Sequence, residues 1–264
     1  LNTATGYKYT EYARIILGWT AAGLDPEDVA GYNLLEKLTT MENVCRQGIN
    51  GPIWALIAYD CGGYKIPEVP AEAVKKTENK KSEGTAGLKD QDTDFRKTSR
   101  EALLAYILKH QTPDGGWTLS GEKADVDLTA MALTAMAPYV CGDAQLCGEI
   151  TETTRKKVKQ AADKAIDCLA EKKADDGGFE SWGSKNAESC AQVITALSSL
   201  GIDVDADACF EGTLNALLAF QQEDGGFAHT ADGDTNQMAT EQAAYALTAY
   251  ERMKNGESRL FDMR

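Results

Sequence analysis

The sequence has no apolar run approaching the roughly 18–20 residues that a membrane-spanning helix needs, and no Pro-, Gly- or Ser-rich linker that would divide it. It also lacks a cationic surplus. Its 27 Lys and Arg stand against 41 Asp and Glu, giving a net charge of −14, a balance that argues against nucleic acid or anionic membrane as partner. An acidic, solvated surface fits better, with a cationic ligand as the functional counterpart. Cysteine is present but uninformative: seven residues leave one unpaired however they pair, so they do not fix a redox compartment. With 43% hydrophobic residues, residues 1–264 have ample material for one cored domain.

What the sequence does contain is an internal repeat. DGGW at Asp114–Trp117 returns as DGGF at Asp176–Phe179 and at Asp224–Phe227, each time between a helical run with polar residues at its end and a second run rich in Ala. Two Gly after a helix allow positive φ and a sharp reversal, and the ring that follows pins the turn. The run Phe95–Gln111 carries Leu103, Leu104, Ile107 and Leu108 on one stripe, as a half-solvated helix would. Leu128–Ala137 is Ala, Met, Leu and Thr almost all round, the composition of a buried helix. The unit is therefore a helical hairpin with an outer and an inner helix, interrupted by insertions of unequal length.

DGGW/F after a Gln-containing helix end, with DVDLTAMAL opening the next helix, resembles the repeats of squalene–hopene cyclases and protein prenyltransferase β-subunits. It is similar also to the toroid domains of cobalamin carriers of the intrinsic factor type. The resemblance runs from about Thr10 to Met263 and implies an all-α fold, an α/α toroid of hairpins around a ring of inner helices. Inner helices are expected at Thr10–Ala22, Pro52–Tyr59, Val126–Ala137, Ala187–Leu200 and Gln237–Met253. Relatives close a ring of six, so an opening hairpin is expected to be missing and the chain to be a piece of a longer protein with further domains. Pro26–Cys45 is expected as an outer helix, with Asn50 as a cap and Pro52 in a first turn. Glu68–Asp94 is read as a mobile insertion, and about 141–152 as a second one in which Cys141 and Cys147 could bridge.

Chemistry is expected where the inner helices begin, around the mouth of the ring. Aligning the units on Thr134-Ala135, Thr195-Ala196 and Thr248-Ala249 places Asp127, Glu188 and Glu241 at one repeat position, with Asp125 just before the first. First-turn acids satisfy free N–H groups and the helix dipole. Converging at a cavity mouth, they would also bind a cation or sugar, or raise one another's pKa. Trp117, Phe179, Trp182 and Phe227 are the neighbouring aromatics, suited to a flat ligand or to anchoring turns.

The enzymes that the resemblance implies are matched only in part. DVDLTA at Asp125–Ala130 follows the cyclase motif D-x-D-D-T-A with Asp127 as the acid, but Leu128 replaces the last Asp. Prenyltransferases hold zinc through Asp-x-Cys and a His. Glu188-Ser189-Cys190 substitutes the first ligand, and His229 and His110 are the nearest imidazoles. Asp232, Asp234 and Asn236 begin like a calcium loop, but Ala243 stands where its Glu belongs. Cys45 and Gln47 lack the Cys-Gly-Glu-Gln of a thioester.

The sequence thus reads as a non-catalytic module of a bacterial secreted or cell-surface protein. It would bind a small ligand, glycan or protein partner at an acidic mouth, without metal or cofactor. The alternative is an enzyme, either cyclase- or prenyltransferase-like with Asp127 as general acid, or a glycoside hydrolase with a carboxylate pair.

Overall fold

The computed structural model describes residues 8–69 and 97–264. The first inner helix, α1 (Tyr9–Ala21), is followed by short pieces: a 3₁₀ turn at Leu35–Leu38, α2 (Met41–Val44) and a 3₁₀ turn at Cys45–Gln47. The inner helix α3 (Asn50–Cys61) and the outer helix α4 (Arg100–Lys109) come next, then the inner α5 (Val126–Cys141), the short α6 (Ala144–Cys147) and the outer α7 (Glu152–Lys172). A two-stranded hairpin, β1 (Glu180–Ser181) and β2 (Ser184–Lys185), leads into the inner α8 (Ala187–Ser199). The outer α9 (Thr213–Leu218) and the inner α10 (Gln237–Lys254) complete the helices among the described residues. The expected all-α toroid of repeated hairpins is what forms. Each inner helix packs on the next in the order α1, α3, α5, α8, α10, while α4, α7 and α9 cover α3, α5 and α8 from outside. Across the seam between the last and first inner helices, Arg14 reaches Glu241 at 3.7 Å.

Several local expectations need correction. Pro26–Cys45 is not one outer helix but a series of single turns, because its apolar residues Leu35, Leu38, Met41 and Val44 are buried by a folded-back path. Asn50 lies inside α3 rather than capping it, and its Oδ1 is buried without a partner. Helix α4 begins only at Arg100, capped by Ser99, whose hydroxyl accepts from Ala102 N at 3.0 Å. Most of the insertion expected at Glu68–Asp94 lies outside the described residues. All seven cysteines are free, Cys141 and Cys147 included.

The DGG turns show why both glycines are there. Gly115, Gly177 and Gly225 have φ of 93°, 83° and 87°, the left-handed region that ends each outer helix. The second glycine is needed for proximity: a Cβ on Gly116 would sit 2.3 Å from Thr129 Oγ1 and 2.5 Å from the Ala124 Cβ. The ring that follows is driven inward, Trp117 and Phe179 being fully buried and Phe227 nearly so. Trp117 also donates from Nε1 to Ile107 O at 2.7 Å, tying the turn to the outer helix.

Arg100, itself 1% exposed, holds the opposite end of the ring. Its guanidinium donates to Asp60 Oδ1 (2.7 Å), Glu149 Oε2 (2.7 Å), Tyr59 O (3.1 Å) and Tyr64 O (3.0 Å), and Tyr139 donates to the other Asp60 oxygen at 2.8 Å. A buried charge is tolerated here because each guanidinium nitrogen has an acceptor and two carboxylates balance the charge.

The two kinds of glycine give opposite expectations. Gly116→Ala should destabilise the chain by about 1–3 kcal/mol, through overpacking against Thr129. Gly18→Ala, in the middle of α1 with open space around it, should stabilise by about 0.5–1 kcal/mol. Urea unfolding midpoints of the two variants check both signs.

Candidate active site at the starts of the inner helices

The starts of the inner helices are fixed by one set of contacts used repeatedly. Asp125, Asn186 and Asn236 are the N-caps of α5, α8 and α10, their side chains accepting from Leu128 N, Ser189 N and Ala239 N at 3.0, 2.8 and 3.1 Å. Four residues on, Thr129 and Thr240 accept the backbone N–H of Trp117 and Phe227 at 3.0 and 2.9 Å. Turn and helix are therefore locked in a common register.

That register corrects the alignment on Thr-Ala steps. Counted from the caps, Asp127 and Glu188 share the second helical position, and Met238 stands there in α10. Glu241 lies one turn further along, half-exposed, paired with Arg14 and accepting a short hydrogen bond from Tyr245. Two acids share the position rather than three.

The two acids sit in different surroundings. Asp127 is largely buried between α5 and α8, and Ser189 donates from Oγ to its Oδ1 at 2.6 Å. Burial pushes its carboxyl up to about 6; Ser189 and Ser181 oppose the shift, while Asp125 and Glu188 add to it. Asp125 accepts from Ser181 Oγ at 2.6 Å while it caps the helix. Glu188, 8% exposed, lies 2.8 Å from His229 Nδ1, and with its proton there the imidazole donates to the carboxylate. The His229 carbonyl in turn accepts from Ala187 N at 3.1 Å, so this loop folds over the start of α8. Asp127, Ser189, Glu188 and His229 form a continuous polar patch with one neutralisable acid at its centre.

The aromatics divide. Trp117, Phe179 and Phe227 are buried turn anchors, which corrects their assignment to ligand contact: no ligand at the mouth reaches a ring enclosed on all sides. Trp182 is 86% exposed, at φ 54° in the tip between β1 and β2. Leu119 and Met238 are the other large exposed apolar side chains beside the inner-helix starts. The sequence does not foretell the roles of Ser181, Ser189 and His229; the cap residues Asp125 and Asn186, two positions before Asp127 and Glu188, carry the true register.

Zinc, the metal of protein prenyltransferases, does not fit these residues. Glu188 and His229 meet, but Cys190 is fully buried with its thiol pushed up to about 11 by that burial. Among the described residues no group of three His, Cys, Asp or Glu is placed to hold a metal.

The model of the prenyltransferase alpha-alpha toroid domain matches residues 29–202 and, in a second overlapping match, 134–258. No curated protein matches the chain. Among solved structures, the chain is similar to Candida albicans protein geranylgeranyltransferase-I complexed with GGPP, at 13% identity and a TM-score of 0.50. The match covers 92% of this chain and 66% of that one. The expected non-catalytic binding module is corrected by the match to the prenyltransferase domain, which supports the enzyme alternative. Among the described residues no helix is long and apolar enough to cross a membrane.

Removing the Ser189 hydroxyl takes away a bond that favours ionised Asp127. In Ser189→Ala, carboxyl NMR should therefore show the Asp127 pKa rising above the wild-type value. Its raised pKa also sets a stability profile. The contribution is fully present below 3.8, the ordinary value, and is lost as pH rises through about 6. Asp127→Asn stays neutral throughout, so above pH 7 it should gain on the order of 3 kcal/mol relative to wild type. Unfolding midpoints at pH 4 and 7.5 read the difference.

Proposed function

The chain belongs to the prenyltransferase alpha-alpha toroid family, and from that premise we propose that it is an acid–base enzyme acting on an apolar, unsaturated substrate of the isoprenoid class, with Asp127 as general acid. The observation that carries this reading is the largely buried Asp127 carboxyl, brought to about 6 and gripped at one oxygen by Ser189. A general acid works best with a pKa near the operating pH.

In the proposed step the Asp127 carboxyl gives its proton to one carbon of a C=C bond. The π pair becomes the new C–H bond, the neighbouring carbon is left cationic, and Asp127 becomes a carboxylate. Ser189, already donating to Oδ1, stabilises that carboxylate as it forms. Loss of a proton or capture of water then discharges the cation. Glu188 and Asp125 keep negative charge beside Asp127 and so favour its protonated form before the reaction. The exposed Leu119, Trp182 and Met238 give an apolar substrate a surface to approach. Prenyl transfer through a zinc-bound thiolate is not the reading adopted, because the zinc donors are incomplete among the described residues.

The test is incubation with acyclic isoprenoids, squalene and geranylgeraniol among them, in deuterated water, with products read by mass spectrometry. The expected result is deuterium on carbon, formed at a rate that falls about tenfold per pH unit above about 6. Asp127→Asn should lower that rate by roughly 10²–10⁴-fold. Equal rates in wild type and Asp127→Asn would remove Asp127 from the chemistry.

A further inference from the structure

After α10 the chain turns back into the ring. Gly256, at φ 69°, makes the reversal. Arg252 secures it, donating to Ser258 O at 2.9 Å and to Ser258 Oγ at 2.6 Å, with Glu257 at 3.1 Å. From there the segment crosses the C-terminal ends of the inner helices. Asp143, just beyond α5, grips Arg259 at 3.2 Å and also Arg264. Met263 N donates to Cys61 O, the last residue of α3, at 2.7 Å.

Between these fastenings Phe261 enters the ring. It stands edge-on to Trp54 of α3 and to Tyr245 of α10, with centroids 6.4 Å away in each case and planes at 73° and 71°. At 1.5 Å per residue these partners lie ~10–14 Å inward from the C-terminal ends of their helices. The side chain therefore sits near mid-depth, and Tyr245 connects it by its hydroxyl to Glu241 nearer the acid-bearing face.

The closure is imperfectly filled. Residues 256–260 roof a cavity of about 240 Å³ walled by Cys141, Leu200, Ala249 and Met253. Ser198 lines the same cavity, and its hydroxyl, in a residue 5% exposed, has no hydrogen-bond partner. A buried hydroxyl without a partner costs stability in the closed state. Among the described residues two backbone hydrogen bonds tie residues 257–264 to the ring, Glu257 N to Arg252 O at 2.8 Å and Met263 N to Cys61 O at 2.7 Å, beside the ion pairs of Arg259 and Arg264 with Asp143. A segment held chiefly by side-chain contacts, with few backbone hydrogen bonds to the ring, opens locally at a free energy below global unfolding.

We propose that residues 257–264 are an intramolecular plug, seated by Phe261 and latched by Arg259 and Arg264 on Asp143, that must swing out before an apolar molecule enters the ring from this end. Whatever enters takes the place of Phe261 between Trp54 and Tyr245, so plug and guest compete for one slot. The inference is independent of the reaction assigned to Asp127.

The test uses the whole chain and the neutral fluorophore N-phenyl-1-naphthylamine. Phe261→Ala removes the seat, and probe uptake should rise about tenfold over wild type. Asp143→Asn keeps the side-chain oxygen that caps Leu146 N but loses the charge that grips both arginines, so uptake should rise there too. In wild type, uptake should increase with salt as the latch is screened. The Met263 amide should exchange with deuterium far faster than the amides of α8. Variants that stay folded by circular dichroism and take up no more probe than wild type overturn the plug, as does a Met263 amide as protected as the core. Should Phe261→Ala unfold, Asp143→Asn decides alone.

Discussion

The arrangement depends on how closely the backbone of each turn passes the start of the next inner helix. At Gly116 that approach leaves no room for a β-carbon beside Thr129. The same Thr129 hydroxyl accepts from Trp117 N and donates to Asp125 O at 2.6 Å, so one atom holds the turn, the cap and the helix together. Thr240 repeats the pattern with Phe227 and Asn236. Once the caps of α5 and α8 are fixed, the second residue of each is an acid, Asp127 and Glu188, set beside the contact between these two helices. The position of Asp127 follows from turn geometry rather than from any feature peculiar to Asp127.

The helices themselves were legible because their signals are local. Glycine pairs mark the turns, Ala-rich runs mark the inner helices, and the expected and observed spans of the inner helices differ by only a few residues at most of their ends. Two things were not legible. The register of α10 was missed because Thr-Ala steps recur within a helix, whereas the caps, which set the register, differ in residue type among Asp125, Asn186 and Asn236. The broken path through Leu35–Gln47 was missed because its apolar spacing suits either a helix or a series of turns, and burial by distant residues decides between them. The partners of the acids, Ser189 from α8 and His229 from a loop, come from other repeats, where periodicity along one segment says nothing.

Two aspartates, the buried Asp60 and the partly exposed Asp127, are pushed to about 6, both chiefly by desolvation. Their surroundings separate them. Asp60 is enclosed by Arg100 and Tyr139, which occupy both of its oxygens, so its proton has nowhere to go. Asp127 meets the hydroxyls of Ser189 and Ser181 and two neighbouring carboxylates that resist its charge. A shifted pKa marks burial; the groups around the carboxyl decide what its proton can do.

The hydrogen bond from Met263 to Cys61 and the Arg14–Glu241 contact across the seam join late residues to early ones, in an array whose inner helices otherwise pack on neighbours in the chain. Stacked repeats of that kind can nucleate at any unit and grow outward. Contacts of such long sequence separation carry a large loop-closure entropy and form after the stack that presents their partners. The late step of folding is thus the one that turns a linear stack into a circuit.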